Sequence, residues 1–148
     1  MYFEEFNQGD RFVTRSRVVT GTDMDIFAAL TGATNPLFLN EEFGKKRGFK
    51  GRIAPGMLIL ALAVGAQYSM GLFDHIIAFL GVDKLRFLGP VYPGETIKYN
   101  VEVIKKRDTE RKERGIIVFK WVGENQDGNS VIEAEGTFMM RKREVGRV

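Results

Sequence analysis

The stretch Pro55–Ser69 reads PGMLILALAVGAQYS and decides the fold, because it is apolar on every side until Gln67. A helix without a polar face has to be enclosed by other structure, since it has no side to turn towards water. Pro55 suits the start of such a helix. The longest apolar run, Met57–Ala66, is too short to cross a bilayer at about 1.5 Å per residue. The sequence therefore predicts one buried helix against which the rest of the chain packs.

The residues that follow this helix change to a period of two, which is typical of strands that bury one face. The alternation is clearest in Ile97–Val103 and Ile132–Met140, and Gly115–Val122 between them is almost continuously apolar. Asp127 and Gly128 suit the turn of a hairpin. We therefore predict an antiparallel meander wrapped around one long buried helix, an α+β arrangement known as the hotdog fold.

The residues that precede the helix predict shorter elements. One strand is expected over Arg11–Thr20. Thr22 is expected to cap a helix over Asp23–Leu30, with Asp25 in the position of a capping-box acid. A second short helix is expected over Glu41–Lys46, where Asn40 can act as the cap.

The composition excludes several kinds of site. There is no cysteine, so disulfides, thiolate ligands and a cysteine nucleophile are excluded, and a cytoplasmic protein is expected. His75 is the only histidine, which excludes a histidine-rich metal site, and we predict no metal ligand. The length fits one domain over residues 1–148.

Basic residues concentrate in Lys105–Arg114, which reads KKRDTERKER. Acidic residues interrupt this cluster, and a mixed cluster of this kind is typical of a solvated hairpin tip. The alternative is a landing site for a phosphorylated ligand, such as a nucleotide-bearing cofactor. Because the net charge is only +3, we expect neither nucleic acid nor a membrane as a partner.

Two stretches resemble a known family. Phe27–Leu58 reads FAALTGATNPLFLNEEFGKKRGFKGRIAPGML and is similar to the signature region of the MaoC-like dehydratases, the family of (R)-specific enoyl-CoA hydratases. Leu85–Ile97, LRFLGPVYPGETI, resembles the strand–turn–strand that follows the helix in the same proteins. The resemblance implies the hotdog fold and a place in fatty acid metabolism. It also implies a ligand that is an acyl thioester of coenzyme A or of an acyl carrier protein, with no further cofactor.

The family's motif runs Gly-Asp-x-Asn-Pro-x-His-x-Asp/Asn and is followed downstream by Ile-Ala-His-Gly-Met. In this chain Ala33 occupies the aspartate position, Phe38 the first histidine position and Pro55 the second. Adding water to a conjugated thioester needs a base and an acid, each typically worth about 10²–10⁴-fold in rate. Because these side chains can do neither, the resemblance implies that hydration is crippled, and we assign no catalytic residue. The other motif positions match: Gly32, Asn35, Pro36, Asn40, Ile53, Ala54, Gly56 and Met57.

Five residues form the predicted substrate-binding site: Ala33, Asn35, Phe38, Gly56 and Met57. The resemblance implies that a backbone amide at Gly56 holds the thioester carbonyl, and free N–H groups at a helix start favour an oxyanion. The alternative for Gly56 is a glycine needed for close packing. Asn35 can orient a water or the thioester, or form a plain Asn-Pro turn. Ala33 and Phe38 can line an acyl tunnel or complete the core.

Three functions fit these features. The first is an acyl-thioester-binding protein that, if active, is an enoyl-CoA hydratase or dehydratase, a hydro-lyase. The second is a non-catalytic subunit or acyl-CoA sensor that keeps the pocket. The third is a hotdog thioesterase, which ranks last because Met57–Ala66 offers no carboxylate or hydroxyl nucleophile.

The resemblance also implies a dimer, since members of the family usually join two sheets edge to edge. Open strand edges favour such pairing on physical grounds. The expected partner is a second copy, or a catalytically intact family member whose own site has the aspartate and histidine. His75 is expected to be an ordinary loop histidine, because it lies roughly 20 Å along the helix axis from Gly56.

Overall fold

The predicted central helix is present in the computed structural model, which describes residues 1–144. Residues 145–148 of the predicted domain lie outside this described part. Within residues 1–144, no helix is long and apolar enough to span a membrane. The elements, in chain order, are a 3₁₀ turn at Phe3–Glu5, strands β1 (Arg11–Val13) and β2 (Arg17–Val18), helices α1 (Gly21–Thr31), α2 (Pro36–Leu39), α3 (Glu41–Lys46) and α4 (Gly56–Ser69), and strands β3 (Ile76–Phe87), β4 (Thr96–Asp108), β5 (Arg114–Asn125) and β6 (Ser130–Arg141).

The strands form one antiparallel sheet in the order β1–β4–β5–β6–β3, with β2 also paired to β4. Strands β4, β5 and β6 are the predicted meander, and Asp127 and Gly128 lie in the turn between the last two. Strand β3 is not part of the meander, because it crosses over to pair with β6. Leu85–Ile97 therefore joins two strands that are not neighbours. The pairing of β3 was not predicted, since alternation identifies the buried face of a strand but not its partner.

The inner face of the sheet packs on α4 through two hydrogen bonds as well as apolar contacts. The Tyr99 hydroxyl donates to the Ile59 carbonyl at 2.7 Å. The Trp121 indole N–H donates to Gln67 Oε1 at 2.8 Å, and Gln67 Nε2 donates to the Ala63 carbonyl at 2.9 Å. Gln67 is fully buried, and both ends of its amide have partners. The α+β arrangement predicted from the sequence, a sheet against one long helix, is confirmed.

The predicted strand Arg11–Thr20 is divided into β1 and β2. At the break, the Thr14 hydroxyl accepts a hydrogen bond from the Tyr99 N–H at 2.9 Å, and the Thr14 N–H donates to the Tyr99 carbonyl at 3.0 Å. A side-chain oxygen thus replaces a backbone carbonyl in the ladder. The prediction of one continuous strand was wrong, because the pattern of apolar and polar residues does not show where a side chain replaces the backbone in a hydrogen bond.

Helix α1 begins two residues earlier than predicted, and its cap is Thr20 rather than Thr22. Thr20 Oγ1 accepts from the Asp23 N–H at 3.0 Å, and the Asp23 carboxylate accepts from the Thr20 N–H at 2.9 Å. Partial burial opposes ionisation of Asp23, but hydrogen bonds from Thr20 and Arg17 hold its pKa below its usual range. Thr22 and Asp25 have the same spacing, so spacing alone did not distinguish the two pairs.

The two short helices follow their asparagine caps. Asn35 Oδ1 accepts from the Leu37 N–H at 2.9 Å, so the predicted Asn-Pro turn continues into the single turn of α2. Asn40 Oδ1 accepts from the Phe43 N–H at 2.8 Å, which confirms the predicted cap and bounds of α3.

Helix α4 is not enclosed on every side by its own chain. Met57, Ala61, Gly65 and Tyr68 form an exposed stripe, with Met57 55% and Tyr68 48% exposed. The expectation of complete enclosure was wrong for the single chain, because an apolar sequence does not say which chain covers it. Five apolar residues on or beside the edge strand β3 are exposed as well: Ile77, Phe79, Leu80, Phe87 and Leu88.

The basic cluster Lys105–Arg114 covers the end of β4, the connecting turn and the start of β5, so it lies at a hairpin tip as expected. Four of its members are in ion pairs: Asp108 with Lys142, and Glu113 with both Arg111 and Arg114. A fifth, the Lys106 ammonium, donates to a backbone carbonyl. These contacts favour the structural interpretation of the cluster over a phosphate landing site.

Candidate functional site

The first turn of α4 presents free hydrogen-bond donors. The N–H groups of Gly56 and Met57 have no intrahelical acceptor, and neither donates to another group within residues 1–144. The next donor, the Leu58 N–H, reaches the Pro55 carbonyl at 3.1 Å. The helix dipole adds a partial positive charge at the same point. This turn can therefore hold a carbonyl or an oxyanion without any ionisable side chain.

An apolar cavity of about 410 Å³ opens beside these donors. No ionisable side chain is among its lining residues, which belong to the described part of the chain. The lining comprises Phe49, Ile53, Ala54, Gly56, Met57, Ile59, Phe87, Leu88, Gly89, Pro90, Val91 and Val131. The cavity suits a hydrocarbon group whose polar end reaches the helix N-terminus.

Two backbone hydrogen bonds hold the chain that leads into α4. The Ile53 N–H donates to the Leu37 carbonyl of α2 at 3.1 Å. The Ala54 N–H donates to the Val91 carbonyl, in the connection between β3 and β4, at 2.8 Å. Helix α2 and the β3–β4 connection are therefore fixed to the two residues that precede Pro55, and together they position the donors of the first turn.

Arg52 reinforces the same region with its side chain. Its side chain is 17% exposed, and its guanidinium pairs with Asp25 of α1 at 2.8 Å and with Glu41 of α3 at 3.7 Å. One cation thus links both helices to the segment before α4. Both acids are more than half exposed, so these pairs fix the geometry of the segment more than they add to its stability.

Gly56 combines two roles that the sequence left as alternatives. A Cβ built on Gly56 would lie 2.8 Å from the Phe87 ring, so only glycine allows this close packing. The N–H of the same residue is one of the free donors. Both interpretations therefore apply at once, and Phe87 forms a wall of the cavity directly over Gly56.

The structure brings two of the five predicted site residues to the cavity, Gly56 and Met57. Asn35 does not line it, and its side-chain oxygen caps α2. Ala33 and Phe38 do not line it either. Both are half-buried, and neither belongs to the apolar core of residues 1–144. Roles for Ala33, Asn35 and Phe38 in binding remain predictions.

Residues that could transfer a proton lie elsewhere or have other partners. His75 stacks on Tyr2 with ring centroids 3.7 Å apart, beyond the C-terminal end of α4. Asp23 is held by Thr20 and Arg17, as described above. Within residues 1–144, no group of three or more His, Cys, Asp or Glu side chains could hold a metal ion.

The sequence did not identify the walls of the cavity. Phe87 and Leu88 stood in the stretch that resembles the family, but no motif position marked them as binding residues. Val131 joins the site because β6 pairs with β3, and the Leu88 N–H donates to its carbonyl at 2.9 Å. This pairing is the long-range contact that the alternation of residues did not predict.

Comparisons with known proteins agree with this architecture. The sequence model of a family described as "MaoC like domain" matches residues 5–124. "Protein MaoC" of Klebsiella aerogenes is 33% identical over 113 residues, which cover 76% of this chain but only 33% of that protein. An (R)-specific enoyl-CoA hydratase of Rhodospirillum rubrum is 29% identical over 142 residues, covering 96% of this chain and 93% of the relative.

A solved structure from Archaeoglobus fulgidus, titled as a monoamine oxidase regulatory protein, superposes with a TM-score of 0.90 at 36% identity. The match covers 97% of this chain and 96% of that one. A protein of Mycobacterium tuberculosis described as having a double hotdog fold superposes with a TM-score of 0.84 at 18% identity, over 100% of this chain and 46% of that one. The predicted hotdog fold is confirmed.

Proposed function

This chain belongs to the MaoC-like domain family, and from that membership we propose that it binds acyl thioesters of coenzyme A or of an acyl carrier protein. The observation that carries the proposal is the pair of free N–H groups at Gly56 and Met57 beside an apolar cavity. The thioester carbonyl accepts from these donors, and the acyl group occupies the cavity. The thioester is itself the ligand, so no further cofactor is invoked.

Helix geometry supports this assignment of the carbonyl. A carbonyl oxygen that becomes more negative is stabilised by fixed N–H groups and by the helix dipole, and neither has to reorganise when the ligand arrives. The donors are backbone groups, so they persist when the side chains around them differ from the family's motif. The absence of cysteine supports a cytoplasmic location as part of the same proposal.

We expect this chain to hydrate enoyl thioesters far more slowly than a family member whose site has the aspartate and histidine of the motif. The residues that line the cavity include no acid or base, and Ala33 and Phe38 stand where the family's motif has Asp and His. Each missing group lowers the rate by about 10²–10⁴-fold. If the chain does not catalyse hydration, its function is that of a non-catalytic subunit or an acyl-CoA sensor and not that of a hydro-lyase. A thioesterase finds no support, since the first turn of α4 contains no acidic residue.

The exposed apolar surface supports pairing with another chain. The stripe on α4 and the exposed residues Ile77, Phe79 and Leu80 of β3 are apolar, and Phe87 at the end of β3 covers Gly56 at the start of α4. An unpaired edge strand of this kind is a template for a second strand. We propose a homodimer, and a heterodimer with a catalytically intact member of the family is the alternative.

The test is a calorimetric titration of the purified chain with crotonyl-CoA, followed by a hydration assay on the same sample. We expect saturable binding at ligand concentrations below about 1 mM. Hydration is expected to be far below the ordinary enzyme range of about 1–10³ s⁻¹. Absence of binding at millimolar ligand would contradict the proposed function. Turnover within the ordinary range would contradict the slow chemistry but not the binding.

A further inference from the structure

The cavity beside α4 is uncharged over its whole lining, and the cations nearest to it in sequence are directed elsewhere. Arg86 precedes Phe87 in β3, but neighbouring residues of a strand point to opposite faces. Phe87 pairs with Ile132 on the buried face, whereas Arg86 pairs with Glu133 on the other. A ligand in the cavity therefore meets the Phe87 ring and not the guanidinium of Arg86.

The cations on the other side of the cavity are also engaged. Arg52 pairs with Asp25 and Glu41, which neutralise it. The Lys50 ammonium lies over the Tyr92 ring, 6.0 Å from its centroid, and Tyr92 does not line the cavity. Within residues 1–144, no positive side chain lines the cavity between Phe87 and Val131.

Backbone donors away from the helix start are only partly engaged. The N–H groups of Ile53, Ala54 and Leu88 donate to carbonyls of their own chain, whereas those of Gly89 and Val91, like those of Gly56 and Met57, have no acceptor within residues 1–144. A neutral polar group can therefore find a donor in the cavity, but a carboxylate would lose its hydration with no cation to replace it.

We infer that the site selects thioesters with a neutral hydrocarbon acyl group and rejects those whose acyl group carries a second carboxylate. This inference rests on the proposed function, because it requires the acyl group to enter the cavity. An unpaired carboxylate in an apolar site is strongly disfavoured, whereas each buried methylene strengthens binding. Hexanoyl-CoA and adipoyl-CoA form a matched pair, since they have the same number of carbons and differ by the terminal carboxylate.

The experiment compares these two ligands by calorimetry on the full chain, with free coenzyme A as the baseline. We expect hexanoyl-CoA to bind at least about tenfold more tightly than coenzyme A, and adipoyl-CoA no more tightly than coenzyme A. If adipoyl-CoA binds as tightly as hexanoyl-CoA, the selectivity is wrong and the proposed function stands. If neither thioester binds more tightly than coenzyme A, the proposed function is wrong, and so is the selectivity that depends on it.

A variant reverses the expected preference. Leu88 is 49% exposed and lines the cavity, so Leu88→Arg supplies a cation there. Because Leu88 also belongs to the exposed apolar surface beside β3, the sedimentation mass of the variant is compared with that of the parent chain. We expect it to raise the affinity for adipoyl-CoA relative to hexanoyl-CoA by about tenfold. Leu88→Gln is the uncharged control. Leu30→Arg places the same charge on α1, outside the lining, and should leave the ratio unchanged. A ratio that Leu88→Arg does not alter would contradict a cavity occupied by the acyl group.

Discussion

Gly56 shows how much one residue without a side chain can contribute to a site. Its N–H is a free donor at the start of α4, and its missing Cβ makes room for the Phe87 ring. The sequence identified Gly56 from a motif and offered donor and packing roles as alternatives. Motif matching reveals a position but not its contacts, so Phe87, the other half of this contact, was not predicted as a site residue.

Substituting Gly56→Ala tests both roles. The added Cβ has to displace the Phe87 ring, which is a wall of the cavity, so we expect affinity for hexanoyl-CoA to fall at least about tenfold. Folding should be retained, because alanine is a better helix former than glycine. The measurements are calorimetry and a thermal melt. Unchanged affinity in a folded Gly56→Ala variant would contradict the assigned site.

The matched control for this substitution is Gly65→Ala in the same helix. A Cβ on Gly65 meets nothing within 4 Å in the single chain. We expect thioester affinity to be unchanged, because Gly65 lies about two and a half turns along α4 from the free donors. The double variant Gly56→Ala with Phe87→Ala should recover part of the affinity, since the displaced ring is gone.

At the scale of single elements, long apolar runs and clear helix caps predicted helices and strands well. The errors lie where a threonine side chain replaces a backbone group as hydrogen-bond partner. The long apolar run predicted α4, and the Asn40 cap predicted α3 to the residue. The predicted start of α1 was wrong, and the break between β1 and β2 was not predicted. In both places a threonine hydroxyl bonds to backbone N–H groups, and several threonines and acids nearby have suitable spacing.

The cap of α1 can be tested with a matched pair of threonines. Thr20→Ala removes the hydroxyl that accepts from the Asp23 N–H, and we expect it to cost about 0.5–2 kcal/mol in the free energy of unfolding. Thr22→Ala should change that free energy little, because Thr22 lies inside the helix and is exposed. Urea unfolding of both variants gives the comparison, and a larger loss for Thr22→Ala would contradict the observed cap.

The contact between β4 and α4 predicts a pH dependence. Burial raises the pKa of Tyr99, while the charge of Arg17 opposes the shift. A raised pKa means that the neutral phenol is favoured in the folded state. Its contribution is therefore complete below the ordinary value of about 10 and is lost as pH rises through the folded-state pKa.

Tyr99→Phe isolates this contribution, because it removes the hydroxyl that donates to Ile59. At about pH 8 we expect the variant to be less stable than the parent by about 0.5–1.5 kcal/mol. At about pH 11 the difference should shrink or reverse, since only the parent loses stability through ionisation of this phenol. Urea unfolding at both pH values is the measurement, and a constant or growing difference would contradict the buried hydrogen bond.

At the scale of the whole molecule, the fold class was predictable from the sequence and the sheet order was not. Alternation in β4 and β6 indicated a sheet with one buried face, and α4 was its expected partner. The position of β3 beside β6 depends on a long-range pairing that periodicity does not encode. The cavity was missed for the same reason, because its walls come from segments far apart in the chain.

The exposed edge of β3 predicts the oligomeric state. Sedimentation equilibrium of the parent chain should give the mass of a dimer. Leu80 is 50% exposed on β3, so Leu80→Lys should shift the equilibrium towards the monomer by placing a charge in an apolar interface. Val18→Lys, at a similarly exposed residue of β2, is the control and should remain dimeric. A monomeric parent chain would contradict pairing through this edge.

The central claim is that the N–H groups of Gly56 and Met57 hold an acyl thioester, and amide NMR tests it most directly. A ¹⁵N-labelled sample is titrated with hexanoyl-CoA while the backbone amide signals are followed. We predict that the signals of these two residues shift in a saturable way, while that of Gly128 in the β5–β6 turn does not. Saturable binding that leaves both Gly56 and Met57 unshifted would contradict the claim.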